Sequence, residues 1–109
     1  MKRFMTAATV LLCALSFANL VAAGDVKKGQ GVYMNFCAPC HATGVAGAPR
    51  VGDKPAWAPR LKSGEKILVE RALKGYQGSS GFMPARGGNS ALSDGEVADA
   101  VAYMVIQSK

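Results

Sequence analysis

The sequence predicts an all-α fold: a small domain of three main helices, with long loops wrapped around one covalently bound group. Three observations predict it. Three stretches carry apolar residues at helical spacing, and no strand pattern stands near the first of them. The two connections between these stretches are long and rich in glycine and proline, which disfavours regular structure. Finally, Cys37-Ala38-Pro39-Cys40-His41 reads C-x-x-C-H, the attachment signature of a c-type haem.

Each residue type in that motif has a chemical job. Two thiols can add across the two vinyl groups of one porphyrin. A spacing of two residues lets one helical turn reach both vinyls. The adjacent histidine can then swing under the ring and bind the iron as proximal ligand. Rival readings of the motif are weaker. A thioredoxin-like redox pair expects a βαβ context. A structural zinc site needs four ligands, and His41 is the single histidine of the chain. The third cysteine, Cys13, falls in a segment read below as removed.

The chain has 109 residues, enough for one small domain. Residues 1–23 read as a cleaved secretory signal peptide. Lys2 and Arg3 form its charged start, Phe4 to Leu20 its apolar stretch, and Val21-Ala22-Ala23 a small-residue cleavage site. A retained membrane anchor is the alternative, and the cleavage site argues against it. Residues 24–109 then form the domain, with Cys37 and Cys40 as its cysteines and no disulfide framework. So short a chain builds a modest core, and an apolar porphyrin would supply much of the missing interior. The formal charge is +6, with 13 Lys and Arg against 7 Asp and Glu. Lys2 and Arg3 account for two of those positive charges. The remaining surplus is scattered, without the runs that mark nucleic-acid binding. It suits attraction to an acidic docking face.

The first helix is expected from an Asp25 cap to about Cys40, with Val26, Gly29, Tyr33, Phe36 and Cys40 on one face. Gly29 and Gly31 cost helix stability, and close approach of another helix would explain such glycines. Ala42 to Ser63, with Gly44, Gly47, Gly52, Pro49, Pro55 and Pro59, reads as a long connection without regular structure for most of its length. Wrapping a haem edge would account for it. Trp57 within it is either a pocket residue, its indole N–H reaching a propionate, or a plain core residue.

Ser63 can cap a second helix from Gly64 to Leu73, ended by Gly75. Ile67, Leu68 and Leu73 form its apolar face. Glu70 and Lys74 are spaced as an ion pair, and Lys66 and Arg71 fall on the solvated side. Gly75 to Leu92 reads as loop, with Phe82, Met83 and Pro84 in its middle. The last helix is marked by the capping box Ser93-Asp94-Gly95-Glu96 and the stripe Val97, Val101, Met104 and Val105, with Ala100 and Tyr103 alongside.

A low-spin electron-transfer haem needs a ligand on its second face, and no second histidine exists. Met34 stands one turn before Cys37, too near the attachment side. Met104 is on a packing stripe. Met83, in a glycine-rich loop before Pro84, is the candidate. A thioether favours ferrous iron, raises the potential and closes the site to exogenous ligands.

With both ligands assigned, the sequence resembles the class I c-type cytochromes, and within them the bacterial cytochrome c5 group. The resemblance is carried by Cys37 to Asp53 (C-A-P-C-H-A-T-G-V-A-G-A-P-R-V-G-D), Trp57-Ala58-Pro59-Arg60, Phe82-Met83-Pro84-Ala85-Arg86-Gly87-Gly88, and Ser93 to Met104. It implies the class I cytochrome c fold around one covalent haem c on Cys37 and Cys40, with His41 and Met83 as axial ligands. It further implies that the Pro49 carbonyl holds the far nitrogen of His41. The first and last helices would cross through Gly29 and Tyr33 against Ala100 and Tyr103. Some members of the group carry a cysteine pair after the methionine loop; Asn89-Ser90-Ala91-Leu92 has none.

The implied role is one-electron transfer by a monomer in the periplasm of a Gram-negative bacterium, as part of a respiratory chain. Its partners would be a terminal oxidase or reductase and an upstream quinol-oxidising complex. Nucleic acid, a retained membrane span and catalysis are not expected. The alternative is a haem-based sensor or gas-binding protein, which needs an open iron site. A peroxidase would need distal acid–base groups, and a thiol oxidoreductase would need free thiols at Cys37 and Cys40.

Overall fold

The computed structural model describes residues 24–109. The proposed export signal and its Cys13 lie outside the described residues. Helix α1, Val26–Val32, starts at the expected cap: the Asp25 carboxylate accepts from the N–H groups of Lys27 and Lys28 at 3.0 and 3.1 Å. The helical path does continue through the motif, but not as one regular helix. Tyr33–Cys37 is a π-helical segment, closed by the Ala38 N–H donating to the Tyr33 carbonyl, and α2 follows as Ala38–His41.

That wide turn corrects the expected apolar face. An extra residue in the turn advances the buried register by about one position. Tyr33 stays buried, but Phe36 comes out 38% exposed, while Cys37 packs on the core and His41 is buried.

The connection after the motif also differs from expectation. A short 3₁₀ turn at Val45–Gly47 is followed by a further helix, α3, over Lys54–Leu61. Asp53 caps α3 through the Ala56 N–H at 3.3 Å. Pro55 sits in the first turn, where its missing N–H has no intrahelical partner to lose. Pro59 lies inside the helix and removes one bond. Burial of Trp57 against the core offsets it. Helix α4, Glu65–Lys74, begins from Gly64 rather than from a Ser63 side-chain cap. Gly64 has a φ of 87°, which only glycine adopts freely, and its carbonyl receives the Leu68 N–H at 3.2 Å. Gly75 ends α4 at φ 83°, as expected.

Between α4 and the last helix, β1 (Tyr76–Gln77) and β2 (Phe82–Met83) form a two-stranded antiparallel ladder, with Tyr76 opposite Met83 and Gln77 opposite Phe82. A 3₁₀ segment, Ala85–Gly88, follows. Helix α5, Asp94–Ser108, has the full capping box: Glu96 N–H donates to Ser93 Oγ at 3.1 Å, and Ser93 N–H donates to Glu96 Oε1 at 3.0 Å. Among the described residues, the one ion pair joins Arg86 and Asp94; Glu70 and Lys74 do not close theirs.

Helix α1 packs chiefly on α5. Gly29 explains the closeness: a Cβ there would run into the Asp99 carbonyl and come within 2.9 Å of the Ala100 N. Gly31 has open space around it, so close approach does not account for that second glycine. Tyr33 and Tyr103 meet at the same crossing, ring centroids 5.1 Å apart. The core comprises Tyr33, Trp57, Ala72, Leu92 and the α5 stripe Val97, Val101, Met104 and Val105. Among the described residues, no helix is long and apolar enough to cross a membrane.

Candidate haem site

The π turn and α2 deliver Cys37, Cys40 and His41 to one wall of a cleft of about 540 Å³. Pro49 and Trp57 line the same cleft, as do Met83 and Pro84 from the β2 loop and Met104 from α5. Every site residue proposed from the sequence therefore borders one space. Its volume falls within the range of cofactor sites, about 300–1,000 Å³. Two thiols, one imidazole and a thioether on a largely apolar lining form the donor set that a covalently attached haem requires, so the residues present fit the group.

His41 is held at both ends. Its ring Nδ1 lies 2.8 Å from the Pro49 carbonyl, and its own carbonyl receives the Val51 N–H at 2.8 Å. The first contact requires the proton on Nδ1, which leaves Nε2 with a free lone pair. Burial pushes the His41 pKa below the ordinary value; the Pro49 bond opposes this, and the Arg60 charge adds to it. The ring is therefore neutral and able to donate to a metal.

Trp57 resolves differently from the propionate reading. Its Nε1–H donates to the Arg50 carbonyl at 2.8 Å, so the indole donor is already engaged. The ring is buried and stands 6.1 Å from the His41 ring, centroid to centroid. Trp57 is thus both a core residue and a wall of the cleft.

Both cysteines are free and half-buried. Burial pushes the Cys37 thiol up to about 11. Reactive exchange thiols sit in the opposite environment, with lowered values. Among the described residues, no three of His, Cys, Asp and Glu converge as a metal-ion site.

The methionines separate by position. Met34 is 64% exposed and does not border the cleft. Met104 borders it but is packed within the core on α5. Met83 borders it from a half-buried position at the end of β2.

Two cations were not legible as site residues. Arg60 reaches the cleft from α3, with Nη1 donating to the Ala56 carbonyl at 2.5 Å. Arg71 was expected on the solvated face, but it is half-buried, borders the cleft and lies 4.3 Å over the Tyr76 ring. The available signal was spacing: Arg60 is one turn after Trp57, and Arg71 one turn after Leu68.

Residues 24–104 match the family model described as cytochrome c oxidase, cbb3-type, subunit III. Cytochrome c-555 of Chlorobaculum tepidum is 51% identical over 109 residues, covering 100% of both chains. Cytochrome c5 of Azotobacter vinelandii is 35% identical over 83 residues, covering 74% of this chain and 95% of that protein. Among solved structures, the cytochrome c of an electron transfer complex with nitrite reductase superposes with a TM-score of 0.67 at 43% identity, covering 75% of this chain and 95% of that one. Cytochrome c6 of the diatom Phaeodactylum tricornutum gives 0.57 at 32% identity, covering 78% and 95%. The chain belongs to the class I monohaem c-type cytochromes, electron carriers that hold one covalent haem c.

Proposed function

We propose that this cytochrome is a periplasmic one-electron carrier whose haem is attached through Cys37 and Cys40 and whose iron is held between His41 and Met83. The observation that carries the reading is the convergence of the C-x-x-C-H motif and Met83 on one apolar cleft. When bound, the haem supplies an iron that gains and loses one electron. The protein's residues make that exchange cheap. His41 is neutral and fixed by Pro49, so its ring need not turn when the charge changes. Met83 offers a soft thioether that favours the reduced state and leaves no position open. Arg60 and Arg71 border the cleft and would supply positive charge for the carboxylates of a bound haem.

The periplasmic assignment rests on residues 1–23, read as an export signal. Deleting them should give colourless apoprotein in the cytoplasm; a normal yield of cytoplasmic holoprotein would contradict it. The partners proposed are a terminal oxidase or reductase on one side and a quinol-oxidising complex on the other, met by a monomer. The solved complex of a similar cytochrome with nitrite reductase supports a reductase as acceptor. Carbon monoxide tests the carrier reading directly. The ferrous spectrum should change only slowly on adding it, whereas prompt binding would favour a gas-sensing protein.

A further inference from the structure

The Met83 loop is fastened to the fold at two points. One is the ladder, where Met83 pairs with Tyr76. The other is Arg86, three residues on. Its Nη1 donates to the Leu92 carbonyl at 2.9 Å, and its Nη2 to Asp94 Oδ1 at 2.6 Å. Leu92 is buried in the core and Asp94 is the first residue of α5. The guanidinium fork therefore ties the loop to the start of the last helix.

The backbone there is unusual. Arg86 has a φ of 55°, and Ala46 is the other non-glycine residue with positive φ among the described residues. Gly87 follows at φ 64°, and a Cβ on it would come within 2.9 Å of the Phe36 carbonyl in the π segment. The loop is thus bent sharply against the turn that carries the first attachment cysteine. A side chain at such a φ is disfavoured unless something holds it there. A glycine would suit the backbone better, yet only arginine can make both hydrogen bonds from one planar group.

We infer that Arg86 is a positioning residue: its fork holds the Met83 loop closed so that the thioether stays on the iron. This rests on Met83 being the axial ligand. The clamp acts locally. Without it the loop keeps the Tyr76 ladder but loses its anchor to α5, and Met83 leaves the iron more often while the helices stay folded.

The test uses haem-loaded ferrous protein and carbon monoxide, which can bind only when the thioether is away. The rate of carbon monoxide binding is measured for wild type, Arg86→Ala, Asp94→Ala and Met83→Ala. Helix unfolding is followed separately by circular dichroism. Arg86→Ala should raise the rate about tenfold, since hydrogen bonds to charged groups are the strong ones. Asp94→Ala should raise it less, because the Leu92 contact remains. Arg86→Lys should fall between wild type and Arg86→Ala, having lost the fork but kept the charge. Unfolding midpoints should change little. Rates equal to wild type in both Arg86→Ala and Asp94→Ala would overturn the inference. So would a rise that merely tracks a fall in the unfolding midpoint. A wild type that binds carbon monoxide as fast as Met83→Ala would instead remove the ligand reading itself.

Discussion

His41 Nδ1 lies 2.8 Å from the carbonyl oxygen of Pro49, eight residues along the chain. The contact decides which ring nitrogen faces the cleft, and it can exist only with the proton on Nδ1. In the haem-loaded ferrous protein, the His41 Nδ1–H should therefore give a proton resonance that exchanges slowly with water. The ring is buried as well as bonded, and both features slow exchange. Exchange as fast as in free imidazole would contradict this geometry.

Gly29 and Gly31 should respond to alanine with opposite signs. Gly29 leaves no room for a Cβ against Asp99 and Ala100. Gly29→Ala should destabilise by roughly 1–3 kcal/mol through overpacking. Gly31 meets nothing within 4 Å. Gly31→Ala should stabilise by about 0.5–1 kcal/mol, the ordinary helix-interior gain. Denaturant titration of the two variants checks both, and equal effects would sink the crossing argument.

Trp57→Phe separates a wall residue from a propionate donor. The variant leaves the Arg50 carbonyl without its indole partner. That carbonyl still accepts from the Asp53 N–H, so the expected cost is one ordinary hydrogen bond, about 0.5–1.5 kcal/mol of stability. The reduction potential should stay at the wild-type value, because the lost bond is to backbone. A shifted potential with unchanged stability would restore the propionate reading.

Much of this was legible because some signals are local. The capping box of α5 is written in Ser93 and Glu96 and needs nothing else to form. Gly29 announced a helix contact because a helix-interior glycine has a cost to explain, although Gly31 carried the same signal without the contact. Helix α3 was hidden because Pro55 and Pro59 dominate its reading. Position decides their effect: Pro55 is harmless in a first turn, and Trp57 burial offsets Pro59. The π turn at Tyr33–Cys37 leaves no mark in residue types. It changes which side of the motif is buried, so Cys37 and His41 turn inward while Phe36 comes out exposed. Ser63 looked like a cap, but Gly64 supplied the backbone conformation first. Arg71 could be placed beside Leu68 by spacing, but its seat over Tyr76 and the Arg86 fork to Leu92 and Asp94 depend on how the following turns fold back, which helical spacing does not encode.

The capping box also predicts a pH dependence. Hydrogen bonding from the Ser93 backbone, the larger cause, and from its side chain holds the Glu96 carboxyl below its ordinary 4.5. A depressed folded value means that the charged form contributes stability above the ordinary value. That contribution is lost as pH falls through the lower folded value. Glu96→Gln should accordingly be less stable than wild type at neutral pH, and the gap should close as pH falls well below 4.5. A gap that is constant or widens in acid would contradict the sign.

The central claim is that Met83 completes the iron site, and the oxidised absorption spectrum tests it most directly. The weak sulfur-to-iron band near the red end should be present in wild type and in Met104→Leu, a volume-conserving swap in the core. Met83→Ala should abolish the band, lower the reduction potential and open the iron to carbon monoxide. The haem should stay covalently attached through Cys37 and Cys40. A band that survives Met83→Ala, or one that disappears with Met104→Leu, would contradict the assignment.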